Sequence, residues 1–340
     1  MSLTKLEIDR YITTLRTKSK EFNSISNVQL ASMLEETISN INEVAYFWAT
    51  ICSDNKGTTK TPAEGEEWAG GPYAAVLATQ YYRDSLIDDT DLKVKKYNEK
   101  ENSYKVFPNN IIEKLSFPYI NAKVYFNKSM SFDDINQYRG FSKRYDIDPS
   151  ITLVLGAGNY SSIPYLDVMY HLVTRRSVIL LKLNPVNEYL KPVFEKVFEN
   201  FIERGYIIIT TGNIDESRYM SKHPGVNHIH LTGSDKTYED IVYGRELSDS
   251  DKKVKHLRKI NNKTITSELG NVTPIIIHPG KWSTSDIKYQ ARKIVTGKLN
   301  NNGFNCISAQ VVVLPDGWGH TETLIKYCLL YTSPSPRDDR

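Results

Sequence analysis

Several short stretches of the chain carry side chains that chemistry can use. "NNGFNCISAQ" at 301–310 sets Cys306 among asparagines and a glycine, after a turn and before a strand-like "QVVVLP". A thiol kept for packing usually sits in an apolar run. A reactive one needs access to substrate and a lowered pKa, and these polar surroundings are compatible with that. "TSELGNVTP" places Glu268 after a strand and before a glycine. A carboxylate there acts as a general base if burial raises its proton affinity. "SVILLK" ends in Lys182, at a strand end from which a lysine reaches ribose or phosphate. In "LTGSDKTYEDI", Gly233 lets backbone approach a ligand, and Ser234 is a natural N-cap whose helix terminus attracts phosphate. "GAGNYS" at 156–161 has the G-x-G of a dinucleotide loop but Ser161 in place of the third glycine.

Taken singly, each stretch has a commoner structural explanation: a solvated charge, a capped helix, a tight turn or a small buried thiol. His228 and His230 in "HIHL" share one strand face. Without a carboxylate or cysteine partner near them they read as structural, not as metal ligands. There is no Ser-His-Asp arrangement.

The elements that carry these residues follow from periodicity. Residues 1–54 repeat apolar positions at helical spacing, with Leu6, Ile8, Ile12 and Leu15 followed by Leu30, Leu34, Ile38 and Ile41. Residues 55–72 are rich in glycine and proline and are expected to form a loop, followed by a helix from Tyr73 to Ile87. Residues 90–147 are mixed, with a strand expected in "NAKVYFNK". From residue 150 apolar strands alternate with amphipathic helices: "ITLVLGAG", "SVILLK", "YIIIT", "VNHIHLTG" and "KTITSELG" are the strands. One long helix is expected over "VNEYLKPVFEKVFENFIERG", closed by Gly205. This alternation predicts an α/β fold, a Rossmann-like doubly wound parallel sheet whose ligands bind at the carboxyl ends of its strands. The charged stretch 244–262 reads as a solvated loop.

At 340 residues the chain is long enough for more than one domain. Its net charge of +3, with acids and bases mixed along the chain, gives no argument for nucleic acid as a partner. Three irregularly spaced cysteines make neither a disulfide framework nor a zinc site and are compatible with a reducing compartment. The N-terminus is too charged for a signal peptide, and no apolar stretch is long enough for a membrane span, so a cytoplasmic location is expected.

Order turns these weak signals into a strong one. Asn159, Lys182, Gly233 and Ser234, Glu268 and Cys306 follow one another as their counterparts do in the aldehyde dehydrogenase superfamily. The chain resembles that superfamily over "GAGN", "LLKLNP", "HLTGS", "SELGN" and "NNGFNCISAQVVVLP". The resemblance implies an NAD(P)-dependent enzyme acting on a small-molecule aldehyde, with a homo-oligomeric full-length form. Cys306 would be the nucleophile. The Asn159 amide and the Cys306 backbone N–H would hold the oxyanion, and Glu268 would activate water to release a carboxylic acid from a thioester. Lys182 would contact the adenosine ribose of NAD or NADP, and Gly233 and Ser234 its pyrophosphate. By the same resemblance, residues 1–149 form an N-terminal region packed on a cofactor domain at 150–267, and 268–327 begin a second α/β catalytic domain.

Departures set expectations of their own. Gly158 stands where many members have tryptophan, Pro185 where many have a ribose-binding glutamate, and Asn271 where the motif has a second glycine. Members continue well past the cysteine, so the chain reads as a C-terminally truncated fragment with an incomplete, inactive site. "CLLYTSPSPRDDR" does not continue the preceding helical pattern, and 328–340 read as a non-native tail. Two alternatives stand beside hydrolysis: a CoA-acylating aldehyde dehydrogenase or acyl-CoA reductase, and a non-catalytic relative.

Overall fold

A computed structural model describes residues 3–87, 93–138 and 147–332. Both long N-terminal helices are capped at their starts by side chains close in sequence. Thr4 accepts from the Glu7 N–H while Glu7 accepts from the Thr4 N–H, opening α1 (Lys5–Asn23). Ser26 and Gln29 do the same for α2 (Asn27–Lys56), which ends at Gly57 in the left-handed region, φ 68°. The expected loop at 55–72 is in part helical: it holds α3 (Glu64–Trp68) and a wide π turn (Ala69–Tyr73) leading into α4 (Ala74–Ile87). Glu64, Glu66 and Glu67 crowd the first turn of α3, where the helix dipole favours negative charge.

An antiparallel sheet follows, formed by β1 (Tyr97–Asn98), β2 (Ser103–Phe107) and β3 (Ala122–Tyr125), the last being the strand expected in "NAKVYFNK". Two short helices, α5 (Ile111–Ser116) and α6 (Phe132–Tyr138), accompany it. Parts of the mixed stretch, 88–92 and 139–146, lie outside the described residues.

The expected α/β sheet is present. It is made of β4 (Ile151–Leu155), β5 (Val178–Lys182), β6 (Ile207–Thr210), β7 (His228–Gly233) and β8 (Thr264–Leu269), all parallel. Its order, β6-β5-β4-β7-β8, runs outward from β4 in one direction and then in the other, which puts a topological switch point between β4 and β7. Between strands lie α7 (Ser162–Thr174), α8 (Lys191–Val197), α9 (Glu199–Glu203), α10 (Ile214–Lys222) and α11 (Asp235–Tyr243).

The single helix expected over 186–205 is broken twice. A 3-10 segment, Pro185–Leu190, precedes α8, and Phe198, at φ −98° and ψ 15°, separates α8 from α9. Pro192 lacks an N–H, so the helix restarts around it instead of running through. Gly205 does close the segment, at φ 75°.

One continuous core joins α1 and α2 to the sheet. Leu34, Ile41 and Trp48 of α2 are fully buried with Val154, Leu180, Phe194 and Phe198, and Trp48 meets Phe194 edge-on with ring centroids 5.5 Å apart. Burying side chains of this size is worth roughly 1.5–3 kcal/mol each. A second, smaller core lies around Ile277, Ile287, Ala291, Ile294 and Leu324. It belongs to β9 (Ile275–Ile276), α12 (Thr284–Leu299), β10 (Val312–Val313) and α13 (Thr321–Thr332), with β9 and β10 pairing in parallel. α13 runs on through "CLLYT": Tyr331 stacks on Tyr327, and the Arg292 guanidinium lies 5.2 Å from the Tyr331 ring centroid. Residues 328–332 therefore continue the helix, contrary to expectation, while 333–340 lie outside the described residues. Among the described residues no helix is long and apolar enough to cross a membrane.

Candidate active site

The carboxyl ends of β4, β5 and β7 open into a cavity of about 310 Å³. Leu155, Gly156, Lys182, Asn184, Gly233 and Ser234 line it, together with Ser217 and Thr237. Lys182 is 6 % exposed, and burial pushes its ammonium pKa down, opposed by the nearby carboxylates Glu188 and Glu216. Among the described residues its Nζ has no hydrogen-bond acceptor, so the cavity offers a desolvated cation to an incoming polar group. Ser234 caps α11 by accepting from the Thr237 N–H at 3.1 Å, which sets the start of that helix at the cavity wall. A cradle with one buried cation and a capped helix start fits an anionic dinucleotide. Asn184 shapes the wall and caps the 3-10 turn, within which Asn187 donates to the Ala157 carbonyl at 3.1 Å. A Cβ at Gly158 would come within 2.8 Å of the Asn184 side chain, so this loop is built around a glycine.

Register decides which face Glu268 takes. Lys182 pairs with Leu155, Leu155 with Leu231, and Leu231 with Ser267. These residues share one face, the cavity face. Glu268 pairs with Thr232 and so lies on the other face, above α7. The burial expected of Glu268 is not present: it is exposed and has no hydrogen bond or ion pair among the described residues.

Cys306 is exposed on the loop after α12. Its Sγ lies 3.8 Å from Asn305 Oδ1. The loop is docked on the one that follows β4: Asn159 Nδ2 donates to the Phe304 carbonyl at 2.9 Å, and the Tyr160 hydroxyl donates to Asn300 Oδ1 at 2.9 Å. The fold thus brings Asn159 and the Cys306 loop together, and gathers Lys182, Gly233 and Ser234 around one cavity. No hydrogen bond among the described residues joins Cys306 to Glu268.

Other polar groups here carried no local signal in the sequence. His230 does have a carboxylate partner, correcting the earlier expectation: its Nε2 lies 3.2 Å from Asp167 Oδ1, and its Nδ1 2.8 Å from Thr266 Oγ1. Thr232 donates to Asp167 Oδ2 at 2.9 Å. This network ties α7, which follows the Asn159 loop, to β8, which carries Glu268. Among the described residues no cluster of three His, Cys, Asp or Glu side chains is arranged to hold a metal ion.

Solved structures of aldehyde dehydrogenases share this fold. A glyceraldehyde-3-phosphate dehydrogenase from Methanocaldococcus jannaschii, complexed with NADP, matches 97% of this chain and 59% of its own, with a TM-score of 0.63 and 14% identity. Betaine aldehyde dehydrogenase from Staphylococcus aureus, in complex with NAD+, matches 97% and 54%, with a TM-score of 0.62 and 14% identity. An acetylating aldehyde dehydrogenase from Geobacillus thermoglucosidasius matches 96% and 58%, with a TM-score of 0.58 and 12% identity. The chain thus spans between half and three-fifths of the length of these structures. The profile of the aldehyde dehydrogenase family matches residues 171–326, a range that holds Lys182, Gly233, Ser234, Glu268 and Cys306. Over residues 171–326 the chain is similar to the aldehyde dehydrogenase family, and at 12–14% identity the solved structures show a shared fold. A search of curated protein sequences found no match.

Proposed function

We propose that the protein oxidises an aldehyde to a carboxylic acid with NAD+ or NADP+. The observation that carries this reading is the docking of the Cys306 loop on the Asn159 loop, beside the cavity lined by Lys182, Gly233 and Ser234. Cys306, as thiolate, adds to the aldehyde carbon and forms a C–S bond, and the carbonyl oxygen becomes an oxyanion. The Asn159 amide has one N–H engaged with Phe304 and a second left for that oxyanion. A nicotinamide dinucleotide, when bound, would supply the hydride acceptor for oxidation of the adduct to the thioester. Glu268 takes a proton from water as the water attacks the thioester carbon. The acid leaves, and the thiolate of Cys306 is restored. Lys182 and the start of α11 would hold the dinucleotide.

Purified protein incubated with propanal and NAD+ or NADP+ should, against the expectation of an inactive fragment, form reduced cofactor and propanoic acid in equal amounts. Cys306→Ala should abolish both. Turnover that survives this substitution would sink the proposal, and product formation that requires CoA and yields no free acid would favour the acylating alternative.

A further inference from the structure

Asn301, five residues before Cys306, is 2 % exposed and held in the left-handed region at φ 52° and ψ 45°. Each of its polar groups faces a different part of the chain. Its N–H donates to Glu66 Oε2 at 2.5 Å, its Nδ2 donates to the Asn159 carbonyl at 3.1 Å, and its Oδ1 accepts from Lys56 Nζ at 2.7 Å. Its carbonyl accepts from the Phe304 N–H at 2.9 Å.

Lys56 ends α2 and is itself largely buried. Its Nζ also donates to both carboxylate oxygens of Glu67, at 2.8 and 2.9 Å, and lies 5.5 Å from the Tyr160 ring centroid. Tyr160, next to Asn159, is packed so closely on Gly70 that a Cβ there would come within 2.4 Å of its ring. The last turn of α2, α3 and the π turn after it thus grip both loops of the candidate site. A largely desolvated lysine that contacts a carboxylate, an amide oxygen and an aromatic face has little freedom, because leaving its carboxylate would strand a buried charge.

We infer that Lys56, Glu66 and Asn301 are positioning residues that fix the Cys306 loop against Asn159. The inference rests on the proposed function, because it assigns these residues to the geometry of the same thiol and amide. They touch neither substrate nor cofactor in this assignment. They set the spacing of the groups that do. Displacing a reacting group by about 1 Å costs on the order of 10² in rate, so a loosened clamp is read in kcat rather than in KM.

Two variants of the full chain test this. Asn301→Gly deletes both side-chain links, keeps the N–H that meets Glu66 and tolerates the left-handed backbone. The double variant Lys56→Met with Glu67→Gln removes the cation without leaving a buried carboxylate unpaired. Amide hydrogen exchange should speed up about tenfold or more over residues 299–308 in both variants and stay unchanged in β4. With propanal and NAD+, kcat should fall by about 10²-fold while both KM values stay within about twofold. Unchanged exchange over 299–308 in both variants overturns the inference, and so does faster exchange with unchanged kcat. A wild-type protein that makes no NADH overturns the functional reading instead, and the exchange data still decide whether the clamp holds the loop.

Discussion

Lys182 and Glu268 stand at the carboxyl ends of two strands of one parallel sheet, on opposite faces of it. The register from Lys182 through Leu155 and Leu231 reaches Ser267, and Glu268 is the next residue. Under the proposed function, the dinucleotide lies on one side of the sheet and the carboxylate on the other.

This separation predicts a clean division of effects. Lys182→Met should weaken NAD(P)+ binding by about 1.5–3 kcal/mol, roughly tenfold to a hundredfold, as expected for loss of a charge-assisted hydrogen bond. Glu268→Gln should leave cofactor affinity within about twofold and let an acyl group accumulate on Cys306. Calorimetric titration with NAD+ and NADP+, and intact-protein mass after a single turnover, check the two halves. An equal loss of cofactor affinity in both variants would contradict the assignment.

Cys52 and Cys306 should separate by reactivity. Cys52 is fully buried, and burial pushes its thiol pKa up to about 11. At pH 8 that leaves about a hundredfold less thiolate than at an ordinary cysteine. Cys306 is exposed. Iodoacetamide followed by peptide mapping should therefore modify Cys306 at least about a hundredfold faster than Cys52, with Cys52 labelling only in denaturant. Comparable rates in the native protein would mean that Cys306 is not presented as the structure shows.

His171 predicts a loss of stability in acid. It is buried with neither ring nitrogen hydrogen-bonded, 5.0 Å from the His230 ring. Burial first, then the charges of His230 and Arg175, pushes its pKa from 6.5 down to about 3. Between those values the unfolded chain holds a proton that the native chain does not, so stability falls as pH drops through that window. The slope from this one group is about 1.4 kcal/mol per pH unit, amounting to on the order of 4 kcal/mol across the window. Urea unfolding of wild type and His171→Phe at pH 7 and pH 5 checks this, with the variant expected to lose less stability by about that slope.

Gly158 should resist substitution. The Asn184 side chain occupies the place a Cβ would need, and Asn184 also caps the 3-10 turn after β5. Gly158→Ala should cost about 1–3 kcal/mol of stability through this overlap and weaken cofactor binding by moving the cavity wall. Chemical denaturation and cofactor titration measure the two effects together. A neutral Gly158→Ala would show that the loop can relax at no cost.

Much of the framework was legible in the sequence because its causes are local. Apolar residues at helical spacing, from Ile8 to Leu15 and from Leu30 to Ile41, announce the first two helices. The apolar runs of β4 and β5 announce strands buried on both faces. The splits at Phe198 and in the turn before Lys191 were missed because a helical pattern of apolar residues continues across them. α3 was missed because composition alone does not show that Glu67 has Lys56 as its partner.

What the sequence by itself determined is the kind of each element and the order of Asn159, Lys182, Gly233, Ser234, Glu268 and Cys306 along the chain. Only the tertiary structure decided that Glu268 faces away from Lys182, that His230 meets Asp167, and that Asn301 joins Lys56 and Glu66 to Asn159. Apart from Phe304, the partners of Asn301 lie 142 to 245 residues away from it. Contacts at that range depend on how every intervening strand and helix packs, and no pattern within a few residues of Asn301 records it.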